Sequence, residues 1–341
     1  MIIRLAAGLA VALFLATSAA AKPFVVILAD ARGTVATDLM APYAILAESG
    51  AVEVKVVSAT AGPARLTPGM AWVKPQMTLA QLARERPQGP DVVVVPAFSH
   101  DDDPTRAAWL REQMRRGARV MSICNGARAL ASAGLLDGRQ ATVHWYSKGR
   151  VTKKYPDVNW RYDRRWVVDG PITTTAGISA SEPATLDLLR QLAGEAVMRD
   201  TARRLRLPLP DPRHDGGDYR LTLRGMSVVV GNRIAFWNRE TVALPLTNGF
   251  DEIAFGTSLD AWSRTYRSTA WAVGAPGATS RHGLTVYRAQ TLPKRFDRTV
   301  DLPAPDVMDS TFAQVRSAYG ENTARFVALQ FEHPWGAVSA W

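Results

Sequence analysis

"ARVMSICNGARALASAGLLDGRQATVHW", residues 118–145, decides how this 341-residue chain is read. A short β-like run, Val120 to Ile123, leads into Cys124, the single cysteine of the sequence. Asn125 and Gly126 follow, then an alanine- and leucine-rich stretch of helical composition. A strand that turns directly into a helix places its corner residue at the carboxyl end of the strand, where doubly wound α/β sheets bind ligands. Such a corner pushes its side chain out of the sheet, with the amides of the following helix pointing at it. For cysteine this setting favours thiolate over thiol, which predicts an accessible sulfur with a lowered pKa. Gly126 suits a turn where neighbouring backbone passes too close for a side chain.

Working outward, "FVVILAD" (24–30), "VEVKVVSA" (52–59), "DVVVVPAF" (91–98) and "ARVMSIC" (118–124) read as strands. Three of them are almost continuously apolar, as strands covered by helices on both faces are. Helical spacing fills 37–50, 78–86 and 104–117, and two of these segments close on a glycine, Gly50 and Gly117. This alternation predicts an α/β fold with a doubly wound, mostly parallel sheet. Beyond the corner, a helix in "GARALASAGL", an extended "RQATVHW", a hairpin around Asp169-Gly170 and one or two helices over 181–205 complete a first domain, 22–207.

"PLPDPRHDGGD" (208–218) has the proline, glycine and charge of a linker. The remainder, 219–341, reads as a smaller, shortened and degenerate α/β copy of the first domain. "TVALPLTNGFDEIAFGTSLDAW" echoes "FVVILADARGTVATDLMAPYAIL", and Gly320-Glu321 falls under Gly194-Glu195. This half has no strand-cysteine-helix corner, so it is expected to carry no active site.

The composition, 47% hydrophobic and 21% charged, is that of a globular chain. Arg4, the apolar run Leu5 to Ala16 and the small residues Ala19 to Ala21 read as a signal peptide, 1–21, cleaved after Ala21. The run is shorter than the roughly 20 residues a spanning helix needs. The mature chain is therefore expected in the periplasm or secreted, with an uncleaved anchor as the alternative. One cysteine cannot close a disulfide within its own chain, which leaves a buried filler, an intermolecular linker or a working thiol. The net charge of +10 is scattered over arginines and reads as a solvated basic face, with no nucleic-acid partner. No Walker loop, CxxC or HExxH spacing is present. "HDDD" (100–103) reads as a cap for the helix at Pro104 in preference to a metal site. No metal and no cofactor are expected.

The stretches "TDLMAPYAIL", "PDVVVVPAF", "SICNGARALASAGLLDGRQATVHW", "YPDV", "ITTTAGISASEPATLDLL" and "LAGEAVMRDTARRL" occur in order from about residue 24 to 205. On them the chain resembles the ThiJ/PfpI family of the class I glutamine amidotransferase-like superfamily. The resemblance is strongest to the branch shared by isonitrile hydratases and the ligand-sensing domains of AraC-type regulators. It implies a nucleophile elbow at Cys124, an acid at Asp38 and an assisting histidine at His144, the last able to act as acid or base near neutrality. Around them it implies a pocket with Asn125 and Gly126. The family's glycine pair after the "VVVVP" strand is replaced by Ala97-Phe98, so Phe98 is expected to narrow the approach to an oxyanion site.

The implied activity is a cofactor-independent, cysteine-dependent hydratase or hydrolase acting on a small electrophile of isonitrile or carbonyl type. Non-catalytic ligand binding or sensing in the periplasm, and thiol redox sensing, stay open beside it. Relatives commonly pair, so a homodimer, or a pseudo-dimer formed within one chain, is expected. The helix-turn-helix pair of a regulator has no counterpart in the pattern of the tail.

Overall fold

The computed structural model describes residues 21–234 and 236–335. Residues 1–20, on which the signal reading rests, lie outside them, and no helix among the described residues is long and apolar enough to cross a membrane.

The first half runs β1 (Phe24–Ala29), β2 (Thr34–Val35), α1 (Ala36–Ser49), β3 (Glu53–Ser58), β4 (Ala64–Thr67), β5 (Ala71–Val73), β6 (Met77–Thr78), α2 (Leu79–Glu85) and β7 (Val92–Val95). It continues through α3 (Pro104–Arg115), β8 (Arg119–Ser122), α4 (Gly126–Ser132), β9 (Gln140–Ala141), α5 (Lys148–Lys154) and β10 (Asn159–Trp160). The hairpin β11 (Trp166–Asp169) and β12 (Ile172–Thr175) and the helices α6 (Ser181–Ala193) and α7 (Glu195–Leu205) complete it. The main sheet has the order β11-β12-β8-β7-β1-β3-β6 and is parallel except for β11. β1 and β7 are buried at every residue, which is why their sequences are apolar without alternation. Asp103 caps α3, accepting from the amides of Thr105 and Arg106, and Pro104 takes the first helical position.

Two expectations change. The helix after the cysteine is only seven residues long, and "RQATVHW" makes a two-residue bridge and then one tight turn over Trp145–Ser147. The stretch 208–218 is not a loose linker: Arg164 bridges Arg213, and the Arg165 amide donates to the Pro212 carbonyl at 2.9 Å.

The second half consists of α8 (Leu223–Ile234), β13 (Glu240–Leu246), α9 (Glu252–Ser263), β14 (Ser268–Gly274), β15 (Gly277–Thr279), β16 (Thr285–Arg288), β17 (Arg298–Thr299), α10 (Val307–Tyr319) and α11 (Glu321–Phe331). β14, β13 and β17 form a parallel sheet of their own.

Both halves share one apolar core, which contains Leu39 and Ile45 from α1 and Phe255 and Trp262 from α9. Burying side chains of this size contributes roughly 1.5–3 kcal/mol each. α9 lies directly on α1, so closely that a Cβ on Gly256 would sit 3.0 Å from that of Met40. Strands also cross the seam: β16 pairs antiparallel with β5 in the sheet β15-β16-β5-β4-β2, with Tyr287 opposite Trp72. A charged clamp closes one end, where His282 Nε2 lies 2.7 Å from Glu48 Oε2 and its Nδ1 2.9 Å from Glu252 Oε2.

Candidate functional site

Cys124 follows β8 by two residues and takes left-handed backbone, φ +55. For a residue with a Cβ this conformation costs ~1–2 kcal/mol, so its surroundings must hold it. They do so with three hydrogen bonds: Ile123 N–H to Val95 O at 3.0 Å, Gly126 N–H to Ile123 O at 2.8 Å, and Cys124 N–H to Thr175 Oγ1 at 3.0 Å. The start of α4 is pressed against the end of β7, and a Cβ on Gly126 would lie 2.1 Å from Val95 O. Position 126 therefore admits only glycine without movement of the strand.

Asp38, in the first turn of α1, is fully buried. Its Oδ2 accepts the Ala97 amide at 3.0 Å, and its Oδ1 has no hydrogen-bond partner. Burial, and after it repulsion from Asp260, push this carboxyl up to about 8 against the opposing Ala97 amide and Arg264. Asp38 is thus protonated at neutral pH, with Oδ1 as the free oxygen to carry the proton.

The second half supplies the other charges. Asp260, fully buried near the end of α9, accepts from Arg264 Nε at 2.5 Å, and Arg264 acts electrostatically on both Asp38 and Cys124. The expectation of an exposed, acidic thiol is overturned. Cys124 is 3% exposed, and burial, then the field of Asp38, push its pKa well above the ordinary value. Arg264 and the Asn125 amide pull the other way without prevailing. A helix of seven residues adds too little field to change that balance.

His144 is also corrected. Its Nε2 lies 2.8 Å from the Gln330 carbonyl, and its Nδ1 accepts the Tyr146 amide at 3.1 Å, so the ring is neutral with the proton on Nε2. Burial lowers its pKa. With both nitrogens committed, His144 ties α11 to the first half and is not placed to serve the sulfur. Asn125 Oδ1 accepts from Ser147 Oγ at 2.6 Å. The Ala97 amide is spent on Asp38 and does not face a developing oxyanion. Phe98 is half-buried and packs against the apolar cluster on the other face of the sheet, under the Arg106 guanidinium at 4.1 Å, and so does not narrow the approach to Cys124.

The end of α11 lies over this region. Glu332, in left-handed backbone at φ +53, takes the Trp145 amide on Oε1 at 2.5 Å and His214 Nε2 on Oε2 at 3.0 Å, and its carbonyl accepts from Ser179 Oγ at 2.7 Å. The Trp145 indole donates to Leu329 O at 2.8 Å. Arg264, Asp260, Glu332 and Thr175 are the residues the sequence reading missed. Asp260 had a signal, an acid in the middle of the apolar "EIAFGTSLDAW". Glu332 had none, because its partners Trp145, Ser179 and His214 meet it only in the folded chain. Among the described residues no group of three or more His, Cys, Asp or Glu could hold a metal ion.

The DJ-1/PfpI family model matches residues 24–191. The chain is 32% identical over 188 residues to the isonitrile hydratase of Pseudomonas putida, covering 53% of this chain and 76% of that one. It is 34% identical over 166 residues to the HTH-type transcriptional regulator CdhR of Pseudomonas aeruginosa, covering 47% of this chain and 46% of the regulator. It thus spans under half the length of that relative. Among solved structures, Drosophila melanogaster DJ-1beta aligns with a TM-score of 0.49 at 20% identity, over 55% of this chain and 99% of that one. The family match through the cysteine-bearing half, together with the coverage of the hydratase, makes this chain a member of the DJ-1/PfpI family.

Proposed function

We propose that the protein is a cofactor-independent hydratase of the isonitrile hydratase type, in which Cys124 adds to a small uncharged electrophile. The observation that carries this reading is a cysteine held at φ +55 within the field of a buried carboxyl that stays protonated at neutral pH. A dry site with a neutral acid favours uncharged reactants, because bringing a charge in would cost several kcal/mol.

The raised thiol pKa suits an addition that consumes the thiol proton. Asp38 gives its proton to the terminal carbon of an isonitrile, Cys124 sulfur bonds to that carbon, and the thiol proton returns to Asp38, leaving a thioimidate. Water then adds to the same carbon, the carbon–sulfur bond breaks, and the thiol is restored as an N-substituted formamide leaves. Arg264 steadies the negative charge that passes through sulfur.

In this reading the second half is a shortened copy of the first that occupies a partner's place, which the Met40–Gly256 contact and the β5–β16 pairing support. The chain is read as exported, cleaved after Ala21.

The test is turnover of isonitriles and α-oxoaldehydes by wild type, Cys124→Ala and Asp38→Asn. Wild type is expected to hydrate an isonitrile, with a loss of 100-fold or more in each variant. Absence of turnover in wild type, with a small molecule still raising its Tm, would instead favour ligand sensing, the reading that the 3% exposure of Cys124 supports. Redox sensing is disfavoured by the raised thiol pKa, since oxidation follows thiolate character.

A further inference from the structure

Between the halves, away from Cys124, the end of α7 and the starts of α9 and α10 enclose a cavity of about 360 Å³. Arg206 and Glu332 stand in left-handed backbone, φ +57 and +53, directly after α7 and α11. Glu332 reaches into the neighbourhood of Cys124, whereas Arg206 lines the cavity.

Most charged groups around the cavity have a charged partner: Arg281 with Asp251 at 3.4 Å, Arg204 with Glu48 at 2.6 Å, His333 with Asp309 at 2.7 Å. Three do not, and one of them is Asp306, whose carboxylate has no ion pair or side-chain hydrogen bond among the described residues. Glu182, in the first turn of α6, is nine-tenths buried, and its Oε1 has no hydrogen-bond partner. Arg206 has no ion pair or side-chain hydrogen bond among the described residues. Oε1 is shielded, but the Glu182 carboxyl as a whole lines the cavity without a hydrogen-bond donor, and a ligand's donor would relieve that cost.

We propose that this cavity binds a small zwitterion of amino-acid size, its ammonium against Glu182 and its carboxylate against Arg206. The volume lies within the range of small-molecule sites. Both groups line the cavity, and although burial pushes the Glu182 carboxyl up to about 7, an ammonium beside it favours its charged form, so a ligand that carries both charges is selected over one that carries either.

Calorimetric titration of the full chain with free L-amino acids, and with n-butylamine and butyrate as single-charge controls, tests this. Saturable binding of an amino acid is expected, at least tenfold weaker in Glu182→Gln and in Arg206→Gly, and unchanged in Cys124→Ala. Arg206→Gly removes the cation while relaxing left-handed backbone, so it decides the matter even where Glu182→Gln fails to fold. The proposal is overturned by no saturable binding, by binding indifferent to both variants, by a single-charge control binding as tightly, or by loss of binding in Cys124→Ala. That last control keeps the site separate from the chemistry proposed at the thiol.

Discussion

Gly126 and Asp38 show how much of the cysteine turn is set one residue at a time. A methyl group at 126 would meet Val95 O at 2.1 Å, so Gly126→Ala is expected to destabilise the fold by about 2–3 kcal/mol in denaturant unfolding. Asp38 gives a signed pH dependence. Its folded pKa, about 8, lies above its unfolded value, so the folded state holds the extra proton and stability falls as pH climbs from about 4 through 8. Asp38→Asn keeps an acceptor for the Ala97 amide and removes the titration. The variant should gain stability over wild type as pH rises, on the order of a few kcal/mol by pH ~8.5, read as Tm against pH. Cys124 and Gly126 could be picked out from the sequence because the turn is local, and Asp38 because the family resemblance implies an acid at that position. The behaviour of the sulfur could not, since Arg264, Asp260 and Glu332 reach it only through tertiary packing.

β1, β3 and β8 and the helices α1, α2 and α3 were legible to within a residue or two, because continuous apolar runs and helical spacing mark them directly. β2, β4, β5 and β6, of two to four residues each, carry no periodicity long enough to be seen. All five strands that make the sheet across the seam are of this kind or similarly short. At the seam, His282 joins α1 to α9 through Glu48 and Glu252, with Arg204 also on Glu48. Burial opposes its charge, but the two carboxylates raise its pKa, and the pKa values of both glutamates are lowered in turn. The histidine term stabilises below its unfolded value near 6.5 and is lost as pH rises through the folded value, while the glutamate terms are lost as pH falls below about 4.5. His282→Gln should therefore cost ~1–2 kcal/mol near pH 6 and progressively less above pH 8, by thermal unfolding across that range.

At the scale of the whole molecule, the second half covers the face of α1 and lends the cysteine site a partly buried cation, Arg264. The interlocking of the halves could not be read from the sequence, because strand pairing and the Glu332 clasp join residues far apart in the chain. With α1 already covered by α9, light scattering is expected to give the mass of one chain; a dimer built on α1 would require the halves to part. The account as a whole depends on Cys124 being a shielded thiol next to a neutral acid. The most direct measurement is the rate of Cys124 alkylation by a small uncharged reagent as a function of pH. Slow reaction near neutrality, rising only above the ordinary thiol pKa of about 8.5, is the predicted profile. Fast alkylation that is already complete at pH ~7, with an apparent pKa below it, would contradict it.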